Sequence, residues 1–142
     1  MGEVSNKAIT SEISPGIIDF RENSKIKFTL YEDGIFETEC FPDTVMTYED
    51  GLESTRITSE ILGKIPKPLL CDLSNVISMS KECRKHFAGE DHAKTFTKCA
   101  LIVTKPIGKM IGNFFLGLNK PLKPTRIFLD RKKAIEWLKE SD

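Results

Sequence analysis

Cys83 and His86 stand three residues apart in a stretch that reads as helix, so their side chains can meet on one face. A thiol beside an imidazole is the pairing a cysteine nucleophile needs, with the ring as its base. Joined by His92 or Cys99, the same two residues would offer zinc a mixed sulfur and nitrogen shell. Cys-x-x-His with a second histidine six residues on fits no standard zinc spacing, however. The plainer expectation is a buried cysteine beside an exposed histidine: no catalytic residue, no metal and no cofactor. A cysteine-dependent enzyme stands as the second of two alternatives.

Other polar groups have equally ordinary roles. Ser80 precedes a helical run and suits an N-cap. A phosphate would also be welcome at a helix N-terminus, which makes Ser80 a candidate phosphorylation site. Glu49–Asp50 and Glu90–Asp91 are adjacent pairs whose carboxylates point apart, whereas acid–base work needs them facing across a cleft. At helix starts they offset the dipole instead. G-x-G-x-x-G, G-x-x-x-x-G-K-[ST] and G-x-S-x-G are all missing from the sequence, so neither nucleotide binding nor a serine nucleophile has support.

Charge narrows the partners. The chain carries 21 basic and 21 acidic side chains. Affinity for nucleic acid comes from neutralising phosphates, and a balanced chain lacks the excess for it. Near-zero net charge also lowers the barrier to self-association, with a symmetric homodimer the default form. The four cysteines are scattered and form no C-x-x-C pair, a pattern expected of free thiols in a reducing compartment. Neither a signal-like apolar run at the N-terminus nor a transmembrane segment is legible, so the expected location is cytoplasmic.

The elements that would position these groups follow from periodicity. A chain of 142 residues suits one domain. Residues 1–20 read as a loosely held arm, in which 17–20 either add a short strand or tether the arm, and 21–142 as the domain. Ile26–Tyr31 and Ile35–Phe41 alternate around Glu32-Asp33-Gly34, a hairpin signal. Thr47–Leu62 predicts a helix with Leu52, Ile57, Ile61 and Leu62 inward, capped by Asp43, Thr44 or Thr47 and closed by Gly63. Leu69–Leu73 and Cys99–Val103 are apolar runs of the kind buried on both faces of a parallel sheet. Between them Val76, Ile77 and Met79 read as loop. A helix from Lys81 carries Cys83, Phe87 and Ala88 inward, with a short helical piece over 91–96. Ile107, Met110, Ile111, Phe114, Phe115 and Leu118 lie on one helical face, flanked by Gly108 and Gly112, and Asn119 suits its end. Arg126–Leu129 predicts a last strand, and Asp130 caps a last helix with Ala134, Ile135, Trp137 and Leu138 inward. The order β-β-α-β-α-β-α-β-α demands an α/β fold with a mixed, mostly parallel sheet, an opening β-hairpin and covering helices.

Asp72-Leu73-Ser74-Asn75-Val76-Ile77-Ser78-Met79-Ser80 resembles the strand–loop–helix segment of the STAS domain, the fold of anti-sigma factor antagonists. Arg126–Asp130 with Ala134–Leu138 resembles its closing strand and helix. Ile111-Gly112-Asn113-Phe114-Phe115 and Asn119-Lys120-Pro121 are similar to phrases of small STAS-like proteins of Bacteroidetes. The likeness spans about 26–138. It implies a non-catalytic regulatory or protein-interaction module. One departure stands out: Lys81 falls where the family's phosphorylated serine lies, and Ser80 where an aspartate stands.

Ligand surfaces of open α/β sheets form outside the carboxyl ends of parallel strands. That rule places a partner-binding rim at Ser74, Asn75, Ser78, Ser80 and Lys81 after one strand, and at Thr104, Lys105 and Lys109 after the next. Its expected occupant is a protein partner. Met110, Phe114 and Phe115 form a candidate apolar interaction face edged by Lys105, Lys109 and Lys120. This face supports the first alternative, a hydrophobic small-molecule or membrane-surface binder like the related STAS-like lipid-transfer folds.

Overall fold

Asp33-Gly34 turns the chain back on itself, with Gly34 at φ 92°, a conformation open to glycine at no steric cost. The turn joins β2 (Ile26–Tyr31) to β3 (Phe36–Cys40) with Leu30 opposite Phe36. The computed structural model describes residues 15–116 and 120–140. A further strand, β1 (Ile17–Glu22), pairs antiparallel with β2. It crosses the expected boundary at residue 20, so the chain joins the sheet from Ile17 onward. The arm before residue 15, and Leu118 and Asn119, lie outside the described residues.

Beyond the hairpin the sheet turns parallel. The strands β5 (Lys67–Asp72), β7 (Phe96–Ile102) and β8 (Thr125–Phe128) complete the order β1-β2-β3-β5-β7-β8. β5 and β7 run side by side in the same direction, with Leu70 against Ala100 and Cys71 against Leu101. Both are covered on two faces, as their unbroken apolar character requires. Leu69, Cys99 and Leu101 enter the larger core with Phe28 and Phe36. Leu70, Ala100 and Ile102 enter a smaller one beneath α5 (Arg131–Lys139), which contributes Ala134 and Leu138. The fold is thus the expected mixed, mostly parallel α/β sheet with covering helices.

Two strands escaped the sequence pattern. β4 (Thr44–Met46) and β6 (Val76–Met79) pair in parallel as a separate small sheet. Thr44 and the 76–79 stretch, expected as cap and loop, are strand. Three or four residues are too few for a period to declare itself. Thr44, Met46, Val76 and Met79 face inward, while Val45, Ile77 and Ser78 face out.

α1 (Tyr48–Leu62) begins at Thr47, whose hydroxyl accepts from the Asp50 N–H while the Asp50 carboxylate accepts from the Thr47 N–H. Its buried stripe differs from expectation. Leu52 is 42% exposed, and Gly51, Ser54 and Thr58 are buried in its stead. The reason is close approach by α2 (Lys81–Phe87): a Cβ on Gly51 would stand 3.2 Å from Cys83 Sγ. α3 (Glu90–Ala93) ends early enough for β7 to start at Phe96, three residues before the expected Cys99.

The two glycines of α4 (Lys105–Leu116) are not equivalent. A Cβ on Gly108 would sit 2.9 Å from Val103 Cγ2, whereas one on Gly112 would meet nothing within 4 Å. Gly108→Ala should destabilise by about 1–2 kcal/mol, because overpacking outweighs the gain in helix propensity. Gly112→Ala should stabilise by about 0.5–1 kcal/mol through propensity alone. Urea-unfolding midpoints moving in opposite directions would bear this out; a matching pair of shifts would not.

Candidate functional site

The rim residues lie where the topology puts them. Ser74 donates from both its N–H and its hydroxyl to Asp72 Oδ1, at 2.9 and 2.6 Å, fixing the turn that leaves β5. Asn75 Nδ2 donates to the Cys40 carbonyl at 3.2 Å, tying that turn to the end of β3. Ser78, Lys81, Thr104, Lys105 and Lys109 are exposed, and Ser80 is half-buried. The Ser80 hydroxyl accepts from the Cys83 N–H at 3.1 Å, an N-cap bond. Ile77 and Val45, beside this rim, are 59% and 46% exposed.

Cys83 and His86 share α2, and among the described residues no hydrogen bond joins them. Cys83 is fully buried, and burial, with Asp50 and Cys71 adding to it, pushes its thiol up to about 12. At neutral pH it is therefore a protonated, apolar group. His86 Nε2 bonds to Thr55 Oγ1 at 2.7 Å, and the same hydroxyl meets His92 Nδ1 at 3.1 Å. One hydroxyl donates a single proton and accepts up to two, so Thr55 donates to at most one of the two rings. Burial, reinforced by the neighbouring His86, holds His92 down to about 3, so it is neutral at pH 7. Its ring packs against Phe87 and Phe96 at centroid distances of 4.8 and 5.5 Å. Among the described residues no group of three His, Cys, Asp or Glu side chains could hold a metal ion.

The feature that the sequence did not announce lies under α4. Ile107 and Ile111 are buried in the core, while Met110 and Phe115 pack against it half-buried. Between this helix, α2, α3 and the face of β5 and β7 is a cavity of about 70 Å³. Its floor is Leu69, Cys71, Cys99 and Leu101 from the sheet. Phe87, Ala88, Ala93 and Phe96 wall one side, and Ile111, Phe114 and Phe115 the other. Pro121, Leu122 and Thr125 line its remaining edge. Lys123 straps that segment down, donating to the carbonyls of Ala93 at 2.9 Å and Phe96 at 2.8 Å. The volume exceeds several-fold what one water needs, but the carbon and sulfur walls offer water few partners.

Arg84 also lines the cavity. Its Nη1 donates to the Met79 carbonyl at 2.5 Å and lies 3.3 Å from Met110 Sδ. Its guanidinium sits over the Phe114 ring, 5.4 Å from the centroid. Its Nε is buried with no hydrogen-bond partner. From the sequence, Arg84 was one charge among many on a short helix, and only assembly brings it against α4.

Residues 29–142 match the family described as Domain of unknown function (DUF7793). The chain belongs to this family. Among solved structures, it is similar to an uncharacterized protein from the DUF3478 family with a SpoIIAA-like fold from Shewanella loihica PV-4. The identity is 20%, with 96% of this chain and 99% of that one covered at a TM-score of 0.50. A protein with unknown function from Arthrobacter sp. FB24 is 24% identical over 79% of this chain and 91% of that one, at a TM-score of 0.31. No curated protein matches the chain. The first likeness agrees with the strand order in giving a SpoIIAA-like, that is STAS-like, fold. None of the described helices is long and apolar enough to cross a membrane.

Proposed function

We propose that this DUF7793 domain is a non-catalytic binding module that holds a hydrophobic small molecule between α4 and the sheet. The apolar cavity is the observation that carries this reading. An unfilled cavity of this volume costs on the order of 2 kcal/mol of lost packing, a penalty that an apolar guest removes. The polar residues that could have argued for catalysis are engaged elsewhere. The Cys83 thiol is buried and protonated, and His86 is bonded to Thr55.

Capture of a protein partner on the rim from Ser74 to Lys81 and Thr104 to Lys109 is the second reading. It is favoured by the exposed side chains of Ile77 and Val45 beside that rim. Ala88 separates the two readings, because it lines the cavity and is not one of the rim residues. Ala88→Phe should fill the cavity, lower 1-octanol affinity at least tenfold in calorimetric titration, and leave the unfolding midpoint unchanged or higher. Undiminished octanol binding by the filled variant would count against the cavity as the binding site.

A further inference from the structure

We infer that the guest is an amphipathic carboxylate, its apolar chain in the cavity and its charged head on Arg84. The inference rests on the cavity reading above and adds the chemistry of the head group. Among the described residues that line the cavity, Arg84 is the only arginine or lysine. Both hydrogen bonds it makes leave from Nη1, toward the Met79 carbonyl and Met110 Sδ. Its buried Nε has no partner, so the edge formed by Nε and Nη2 is the one unclaimed by the fold. That edge carries two roughly parallel N–H bonds, the geometry that receives both oxygens of a carboxylate. Among the described residues no carboxylate pairs with Arg84.

The placement is costly unless something answers it. A buried donor left unsatisfied has given up its hydrogen bond to water and gained nothing in return. The contacts Arg84 does make, a carbonyl, a thioether and the face of Phe114, hold the guanidinium in position without neutralising it. A cation fixed beside an apolar cavity and left with a free bidentate edge matches a molecule with a hydrocarbon body and an anionic end. A neutral hydrocarbon would leave Nε unpaired, and a small hydrophilic anion would leave the cavity unfilled.

The test compares octanoate with 1-octanol, which share a chain length and differ in the head. Calorimetric titration of the wild-type protein should show octanoate bound at least tenfold more tightly. Arg84→Gln should erase that preference while retaining octanol binding, and Arg84→Lys should restore only part of it, a lone ammonium lacking the fork. Equal wild-type affinity for the two probes would overturn the role of Arg84 and leave the cavity reading standing. Binding of neither probe would overturn both. Because the wild-type comparison is decisive by itself, a folding defect in Arg84→Gln would not shelter the proposal.

Discussion

Arg131→Ala is expected to cost the domain about 3 kcal/mol, read as a lower urea-unfolding midpoint at neutral pH. Glu37 lies in β3 with its side chain only 5% exposed. Arg131, in the first turn of α5, donates to it through Nη1 at 2.5 Å and Nη2 at 2.9 Å. The Tyr31 hydroxyl adds a third bond at 2.9 Å. Breaking a buried pair by removing one partner costs about 3–5 kcal/mol, because the other charge stays buried. The half-exposed Arg131 places this pair at the lower end of that range. The double replacement Glu37→Leu with Arg131→Met should recover much of the loss, since it leaves no stranded charge. A single substitution with no effect would mean that water already reaches Glu37. The pair also docks α5 over the smaller core, so a loss here should be felt at Ala134 and Leu138.

Acid should loosen the other side of the sheet. His92 ionises near 6.5 in an unfolded chain, but burial and His86 hold it to about 3 in the folded one. Between those values the unfolded state binds a proton that the folded state refuses, so stability is complete above the unfolded value and falls as pH drops toward the folded one. From about pH 7 to about pH 4 this single group removes roughly 3 kcal/mol. Asp50 works in the same direction at lower pH: burial raises it, but bonds from Lys25 and Thr47 outweigh that and lower it overall. Replacing His92 with phenylalanine keeps a ring against Phe87 and Phe96 and leaves Thr55 bonded to His86. The variant should therefore lose its dependence on pH in that window. A variant that tracked the wild type would shift the cause to other groups. His92 lines the cavity as well, and in the folded protein it stays neutral there until the pH approaches about 3.

The parts of the fold visible in the sequence were those with long, unambiguous periods. Asp33-Gly34, the buried runs around Leu70 and Leu101, and the caps at Ser80 and Asp130 lie where local chemistry demands them. The parts that were missed depended on contacts between distant segments. Val76 to Met79 is a strand because Thr44 to Met46 lies beside it, and neither is long enough to announce itself alone. Leu52 is displaced outward because Gly51 lets Cys83 come close, which residue type on one helix cannot reveal. The apolar stripe of α4 was legible, and its two roles, core packing or ligand face, stayed open alternatives there. The cavity itself was not, since a void is set by what fails to fill the space between elements. Lys98 is a similar case: it sits in a strand, yet donates to the carbonyls of Trp137 and Glu140 at the end of α5.

The claim on which the rest depends is that a hydrophobic guest enters between α4 and the sheet. Methyl-detected NMR during titration with 1-octanol addresses it directly. Saturable shifts are expected at Leu69, Met79, Leu101 and Ile111, which line the cavity, with Ile77 and Leu129 at the surface unmoved. Shifts confined to exposed methyls, or no saturable shift at any lining residue, would contradict it.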